Sequence, residues 1–182
     1  TQAHTRAHTH THTHTHTHTH THTCDIQHNL KACMNVTPDL LPDLFICNRK
    51  SCSSTRPMVQ ANIRRWKYPP GSGYFEMNPA PVKVQGKTLS DFFNDEYIRQ
   101  VDLLNVDVQG NCMEVFSGIG SKWNIIKDIK VKVHVTDWEL YEGQSTKDDV
   151  MELIKSHDFV FRGSYKISRG QEEIMSFIRS RD

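Results

Sequence analysis

The stretch Val101-Asp102-Leu103-Leu104-Asn105-Val106-Asp107-Val108-Gln109-Gly110 decides how this chain folds. Apolar side chains fill most of the first eight positions, several of them β-branched. So short and continuous a run predicts a buried strand of a parallel sheet, covered on both faces. Gln109-Gly110 ends it as a turn. Immediately downstream, Asn111 is placed to cap a helix that carries Cys112, Val115 and Phe116 at helical spacing and closes at Gly118. Residues 118–122, Gly-Ile-Gly-Ser-Lys, superficially resemble a phosphate loop, but they follow a helix instead of a strand and read as a turn.

Further outward the alternation continues. Over residues 129–135, Ile129, Val131, Val133 and Val135 share one face of a strand, and Lys130, Lys132 and His134 share the other. Ser145 and Asp148 form a capping box ahead of Val150, Leu153, Ile154 and His157, the stripe of an amphipathic helix. Residues 158–161 predict another strand, and residues 173–179 suit a strand or a helix equally. Upstream, residues 82–84 are a short strand candidate, and Thr88 with Asp91 is a second capping box opening a helix with Phe92 and Phe93. Strand, helix, strand, helix, strand in this order predicts an α/β fold with right-handed crossovers and a parallel sheet.

The remaining sequence is different in kind. From His8 to Thr23 histidine and threonine alternate strictly, the product that a CA dinucleotide repeat encodes. An extended strand would line its histidines up as a metal comb. The tract lacks apolar surface, however, so residues 1–23 are expected to be a disordered low-complexity tail. Residues 24–81 are poorly patterned and loop-rich: prolines break the apolar cluster around Leu40, Leu41, Leu44, Phe45 and Ile46, and residues 51–54 read as a loop. Residues 59–66 suit a strand or a helical turn. Arg64-Arg65-Trp66-Lys67-Tyr68 mixes basic and aromatic side chains, but with a net charge of +1 over 182 residues it reads as a solvated face. No nucleic-acid partner is expected. No apolar run is long enough to cross a bilayer and no signal peptide is visible, so a soluble chain of unassigned compartment is expected. Five cysteines, Cys24, Cys33, Cys47, Cys52 and Cys112, are an odd set without Cys-x-x-Cys. Reduced thiols are expected, and no metal site.

In a parallel sheet ligands sit at the carboxyl ends of the strands. Asp107 and His134 fall at the ends of two candidate neighbouring strands, which makes them the candidate catalytic residues. Gln109, two positions beyond the acid, can hydrogen bond but cannot act as a base. Glu76, in Phe75-Glu76-Met77-Asn78-Pro79, echoes the acidic strand end that accepts hydrogen bonds from ribose hydroxyls, and is the one candidate cofactor residue.

Taken together and in order, Lys87-Thr88-Leu89-Ser90-Asp91-Phe92, the stretch from Val101 to Gly110, Glu114-Val115-Phe116-Ser117-Gly118 and Val131-Lys132-Val133-His134 resemble the FkbM methyltransferases over roughly residues 82–180. The resemblance implies the C-terminal half of a Rossmann-like methyltransferase sheet whose final segment, with Ile174, Phe177 and Ile178, is a closing antiparallel strand. It implies S-adenosylmethionine as methyl donor, an oxygen of a small molecule or glycan as acceptor, and Asp107, Gln109 and His134 as site residues. The family pattern carries glutamate where this chain has Gln109, Cys112 and Lys132. Its glycine-rich cofactor loop has no counterpart in residues 24–81, so the cofactor-binding half is expected to be missing or unrecognisable and the chain inactive alone. A non-catalytic remnant or interaction module is the other reading. A half sheet would also leave an open edge, through which self-association is expected.

Overall fold

The computed structural model describes residues 41–66, 76–78 and 80–180. The expected tail over residues 1–23 lies outside them, as do Cys24 and Cys33. The elements run β1 (Asp43–Leu44), α1 (Gln60–Ile63), β2 (Val82–Lys83), α2 (Leu89–Asp95), β3 (Val101–Val106), α3 (Cys112–Ser117), β4 (Ile126–His134), α4 (Lys147–Lys155), β5 (Phe159–Ile167) and β6 (Glu172–Arg179).

The fold is mixed α/β around a four-stranded sheet of order β3-β4-β6-β5. β3 and β4 are parallel, with Leu104 opposite Ile129 and Val106 opposite Val131. A wholly parallel sheet is not what forms. β6 runs antiparallel and lies between β4 and β5, pairing Ile129 with Phe177 on one side and Phe161 with Phe177 on the other. The reason is local: a short turn at Ser168–Gly170 joins β5 to β6, too short for the crossover that a parallel neighbour requires. The ambiguous segment 173–179 is therefore a strand, and the strand expected at 158–161 extends to Ile167.

Register explains burial. Leu104 and Val106, Ile129, Val131 and Val133, Met175 and Phe177 share one face and are buried with Val115 and Phe116 of α3 and Val150 and Ile154 of α4. Across the sheet, Asn105, Asp128 and Lys130 are exposed and Leu103, Ile174 and Ile178 half-buried. β3 is thus covered on one face and lies at one edge among the described strands. Its expected burial on both faces is corrected accordingly.

Thr88 caps α2 as expected, its hydroxyl oxygen accepting from the Asp91 N–H at 3.0 Å. The second box sits one residue later than predicted: Thr146, not Ser145, caps α4, accepting from the Asp149 N–H at 3.1 Å. The Ser145 hydroxyl is occupied elsewhere, accepting from the Met113 N–H and donating to the Gly110 carbonyl, both at 3.0 Å. Asn111 precedes α3 without a side-chain cap; its amide bonds Arg56 and Thr55 instead. Residues 82–84 do not join the main sheet, since β2 pairs antiparallel with β1.

Residues 59–66, read as a strand or a helical turn, contain the short helix α1, and the poorly patterned segment around it builds a second small core. Cys47, Cys52, Met58, Trp66, Leu140 and Tyr141 are buried together. Met58 bridges to Tyr141, and the Val59 N–H donates to the Leu140 carbonyl at 2.8 Å. The segment from Phe45 to Trp66 therefore packs against the loops that follow β3 and β4.

Candidate functional site at the carboxyl ends of β3 and β4

Parallel pairing delivers Asp107 and His134 to the same end of two adjacent strands, as their sequence positions predict. Between them stands Lys132, two residues before His134 on the same face of β4. Its ammonium lies 2.5 Å from Asp107 Oδ1 and 3.2 Å from Glu172 Oε1. Glu172 opposes His134 in the β4–β6 register, so the triad spans three strands. The side chains of Lys132 and Glu172 are 12% and 7% exposed, that of Asp107 34%. Burial alone would lower the Lys132 pKa, but the carboxylates of Asp107 and Glu172 outweigh it and hold the ammonium above its ordinary value. A cation mid-strand is thus tolerated because it is paired on both sides.

His134 is buried, with Trp66 edge-on at 5.3 Å and Tyr141 tilted at 5.6 Å between ring centroids. Among the described residues, neither ring nitrogen has a hydrogen-bond partner. Burial, reinforced by the Lys132 charge, pushes its pKa down to about 3, so the imidazole is neutral at physiological pH. A buried imidazole with both nitrogens idle is a polar group at the free-energy cost of a lost hydrogen bond, and a ready partner for a ligand that reaches it.

Gln109 takes a different part. It is buried, with φ of 46°, and Gly110 follows with φ of 92°. The left-handed conformation costs a non-glycine residue about 1–2 kcal/mol, and hydrogen bonds from several segments hold the turn in it. Gln109 Nε2 donates to the Ser51 carbonyl at 2.8 Å, and the Ser54 hydroxyl donates to the Gln109 carbonyl at 2.8 Å. The Ser145 N–H donates to the Gly110 carbonyl at 2.8 Å. The Tyr141 hydroxyl has one proton for two acceptors, the Cys52 carbonyl at 2.9 Å and, more weakly, Gln109 Oε1 at 3.3 Å. Gln109 therefore ties the segment around residue 52 to the end of β3.

Glu76 is exposed and belongs to the second core's border. Its N–H donates to Asn48 Oδ1 at 3.2 Å and its carbonyl accepts from the Asn48 N–H at 2.8 Å. The adjacent Met77 makes an isolated bridge to Cys47, so among the described residues Glu76 does not end a strand. Cys112 is buried below the cluster, its thiol donating to the Lys132 carbonyl at 3.4 Å; burial, then the Asp107 charge, pushes its pKa up to about 12. The sequence marks Lys132 only as a departure from the family pattern, and does not point to Glu172, Trp66 or Tyr141 as site residues. No spacing marks those three, because they reach the site from separate elements.

A family model described as the methyltransferase FkbM domain matches residues 28–161. The 2-O-methyltransferase NoeI of Sinorhizobium fredii (strain NBRC 101917 / NGR234) is 30% identical over 80 residues, covering 44% of this chain and 32% of that protein. The chain thus aligns with about a third of that relative's length. No solved structure matches.

Proposed function

The chain belongs to the FkbM methyltransferase family, and from that premise we propose that it carries the acceptor side of an S-adenosylmethionine-dependent O-methyltransferase. The observation that carries this reading is the convergence of Asp107 and His134 at the carboxyl ends of parallel β3 and β4. The sheet order supports placing it as the C-terminal half of a Rossmann-like fold. The relative's activity as a 2-O-methyltransferase supports oxygen as the acceptor atom, on a small molecule or glycan.

The family implies S-adenosylmethionine as methyl donor. The described residues do not fit that group by themselves. Gln109 Nε2 is spent on Ser51, and Glu76, tied to Asn48 through its backbone, does not end a strand among the described residues. The nucleoside would be held by residues outside those described. On the acceptor side, Asp107 is the half-exposed carboxylate that can take a hydroxyl proton, with Lys132 compensating its charge. His134 is neutral, and its nitrogens, idle among the described residues, would orient the acceptor. Gln109 positions the turn.

One observation favours the non-catalytic alternative: Asp107 is already neutralised by Lys132, where the family pattern has glutamate. Titration calorimetry with S-adenosylhomocysteine, and transfer of labelled methyl from S-adenosylmethionine to saccharide hydroxyls, test the two. The expected results are no heat with residues 1–182 alone, and transfer by the longest product of the gene that falls at least about 100-fold in Asp107→Asn. A long product that neither binds nor transfers leaves the interaction module.

A further inference from the structure

β5 ends at Ile167 and β6 begins at Glu172, which stands opposite His134 at the end of β4. The turn between them, Ser168–Gly170, therefore lies at the same end of the sheet as the candidate site. With neighbouring strands about 4.8 Å apart, the turn sits two to three strands, or about 10–14 Å, across from the end of β3. Ser168, Arg169 and Gly170 have φ of 48°, 57° and 84°, a left-handed run in which two residues are not glycine. Bonds to the site's own elements hold it there. The Ser168 hydroxyl donates to Glu172 Oε2, on the carboxylate whose other oxygen faces Lys132. Gln171 Nε2 donates to the Arg65 carbonyl at 3.3 Å, and the Gln171 carbonyl accepts from the Val135 N–H at 3.0 Å.

What the turn presents is positive charge. Arg169 in its middle and Lys166 just before it are exposed, and a Cβ on Gly170 would stand 3.9 Å from the Lys166 side chain. The carboxylates that begin β6 are committed elsewhere, Glu172 to Lys132 and Ser168, Glu173 to Lys147 at 2.9 Å. Arg65, exposed and fastened to Gln171 through its carbonyl, adds a second guanidinium. It lies over the ring of half-buried Trp138 at 5.3 Å, and Trp66 stands edge-on to Trp138 at 6.3 Å. A guanidinium over a ring keeps its donors around its edge; one of them reaches Asn62 Oδ1, at 3.4 Å. In the loop that carries Trp138, Glu139 accepts from the Gly143 N–H at 3.0 Å, which leaves Asp137 alone against Arg65, Lys166 and Arg169. We propose that this rim is a subsite for an anionic saccharide. Arg65 and Arg169 pair with its carboxylates or sulfate esters, and Trp138 packs on the apolar face of a sugar ring. The proposal rests on the O-methyltransferase reading and deepens it: the methylated sugar sits at Asp107, and a neighbouring anionic sugar of the same acceptor lies along the rim. Glycine would adopt the turn's conformation without strain, so what Arg169 adds is its charge.

Binding needs no methyl donor and is measured apart from transfer. The full chain is run by affinity electrophoresis at about pH 8, where histidine is uncharged, through gels holding alginate, dextran sulfate or neutral dextran. Retardation by alginate assigns uronates, by dextran sulfate sulfate esters, and by both the shared anionic charge; none is expected with dextran. Arg169→Gly removes the guanidinium and relaxes the turn, so it should fold, and it should weaken retention at least about fivefold, as should Arg65→Ala. Lys155→Ala removes an equal charge from the end of α4, just before β5 begins and so at the opposite end of the sheet, and should change nothing. Passage through both polyanions unretarded, equal retention by dextran, or equal weakening by Lys155→Ala would overturn the subsite, and would leave transfer to neutral saccharides standing. Retention lost in Arg169→Gly, with no transfer to any saccharide by the longest product of the gene, would support the subsite and remove the enzymatic reading instead.

Discussion

Removing the Lys132 ammonium would leave the carboxylates of Asp107 and Glu172 facing each other's charge with no cation between them. Lys132→Met is expected to cost roughly 2–4 kcal/mol at pH 7 by urea unfolding, and the loss should shrink when Glu172→Gln is added. His134 gives a second residue-scale expectation. Its folded pKa, about 3, lies below the value of about 6.5 in an unfolded chain. The unfolded state therefore binds a proton that the native state refuses across that window. Stability from this group is complete above about pH 6.5 and falls by about 1.4 kcal/mol per unit as pH drops toward 3. His134→Leu should flatten the slope between pH 6.5 and 5, above the range where carboxylates titrate; an unchanged slope would show that the imidazole is not held neutral. Gln109→Glu restores the family's residue and yet should destabilise by about 2 kcal/mol, since a carboxylate oxygen would replace the amide that donates to Ser51.

At the scale of elements, α4 separates two roles that look alike in sequence. Thr146→Ala should remove an N-cap and cost about 1 kcal/mol. Ser145→Ala should cost as much or more, because it unfastens Gly110 and Met113 rather than the helix. Equal loss of helicity in both, read by circular dichroism of the native state, would contradict that division. β3 is legible from its continuous apolar run, and β4, α3 and α4 because each declares a period: alternation in Ile129, Val131 and Val133, and a helical stripe in Val150 and Ile154. The cap shift by one residue is not legible, since Ser145-x-x-Asp148 and Thr146-x-x-Asp149 fit the same signature. Nor is the place of β6, because periodicity gives a strand its faces and not its neighbours. Asp107 and His134 could be found from strand ends alone, whereas Trp66 and Tyr141 arrive through tertiary packing of a segment whose broken apolar pattern hides its core.

Among the described residues the molecule is asymmetric about its sheet. Helices cover one face; the other presents half-buried Leu103, Ile174 and Ile178 beside Val160 and Tyr165, exposed at 47% and 56%. A face of that kind, running from the edge at β3 to the edge at β5, favours contact with a second copy. Sedimentation velocity is expected to show association that grows with concentration, and Val160→Lys with Tyr165→Lys to suppress it. A monodisperse monomer with a sharp melt would contradict this. The position of β6 reaches further, into synthesis. β4 and β5 have no shared partner until β6 is in place, so a chain that stops short of β6 leaves an edge of each strand unpaired. Chaperones that shield unpaired backbone should find their target there, and arrest of translation before residue 172 should leave a species that aggregates, not one that is merely shorter.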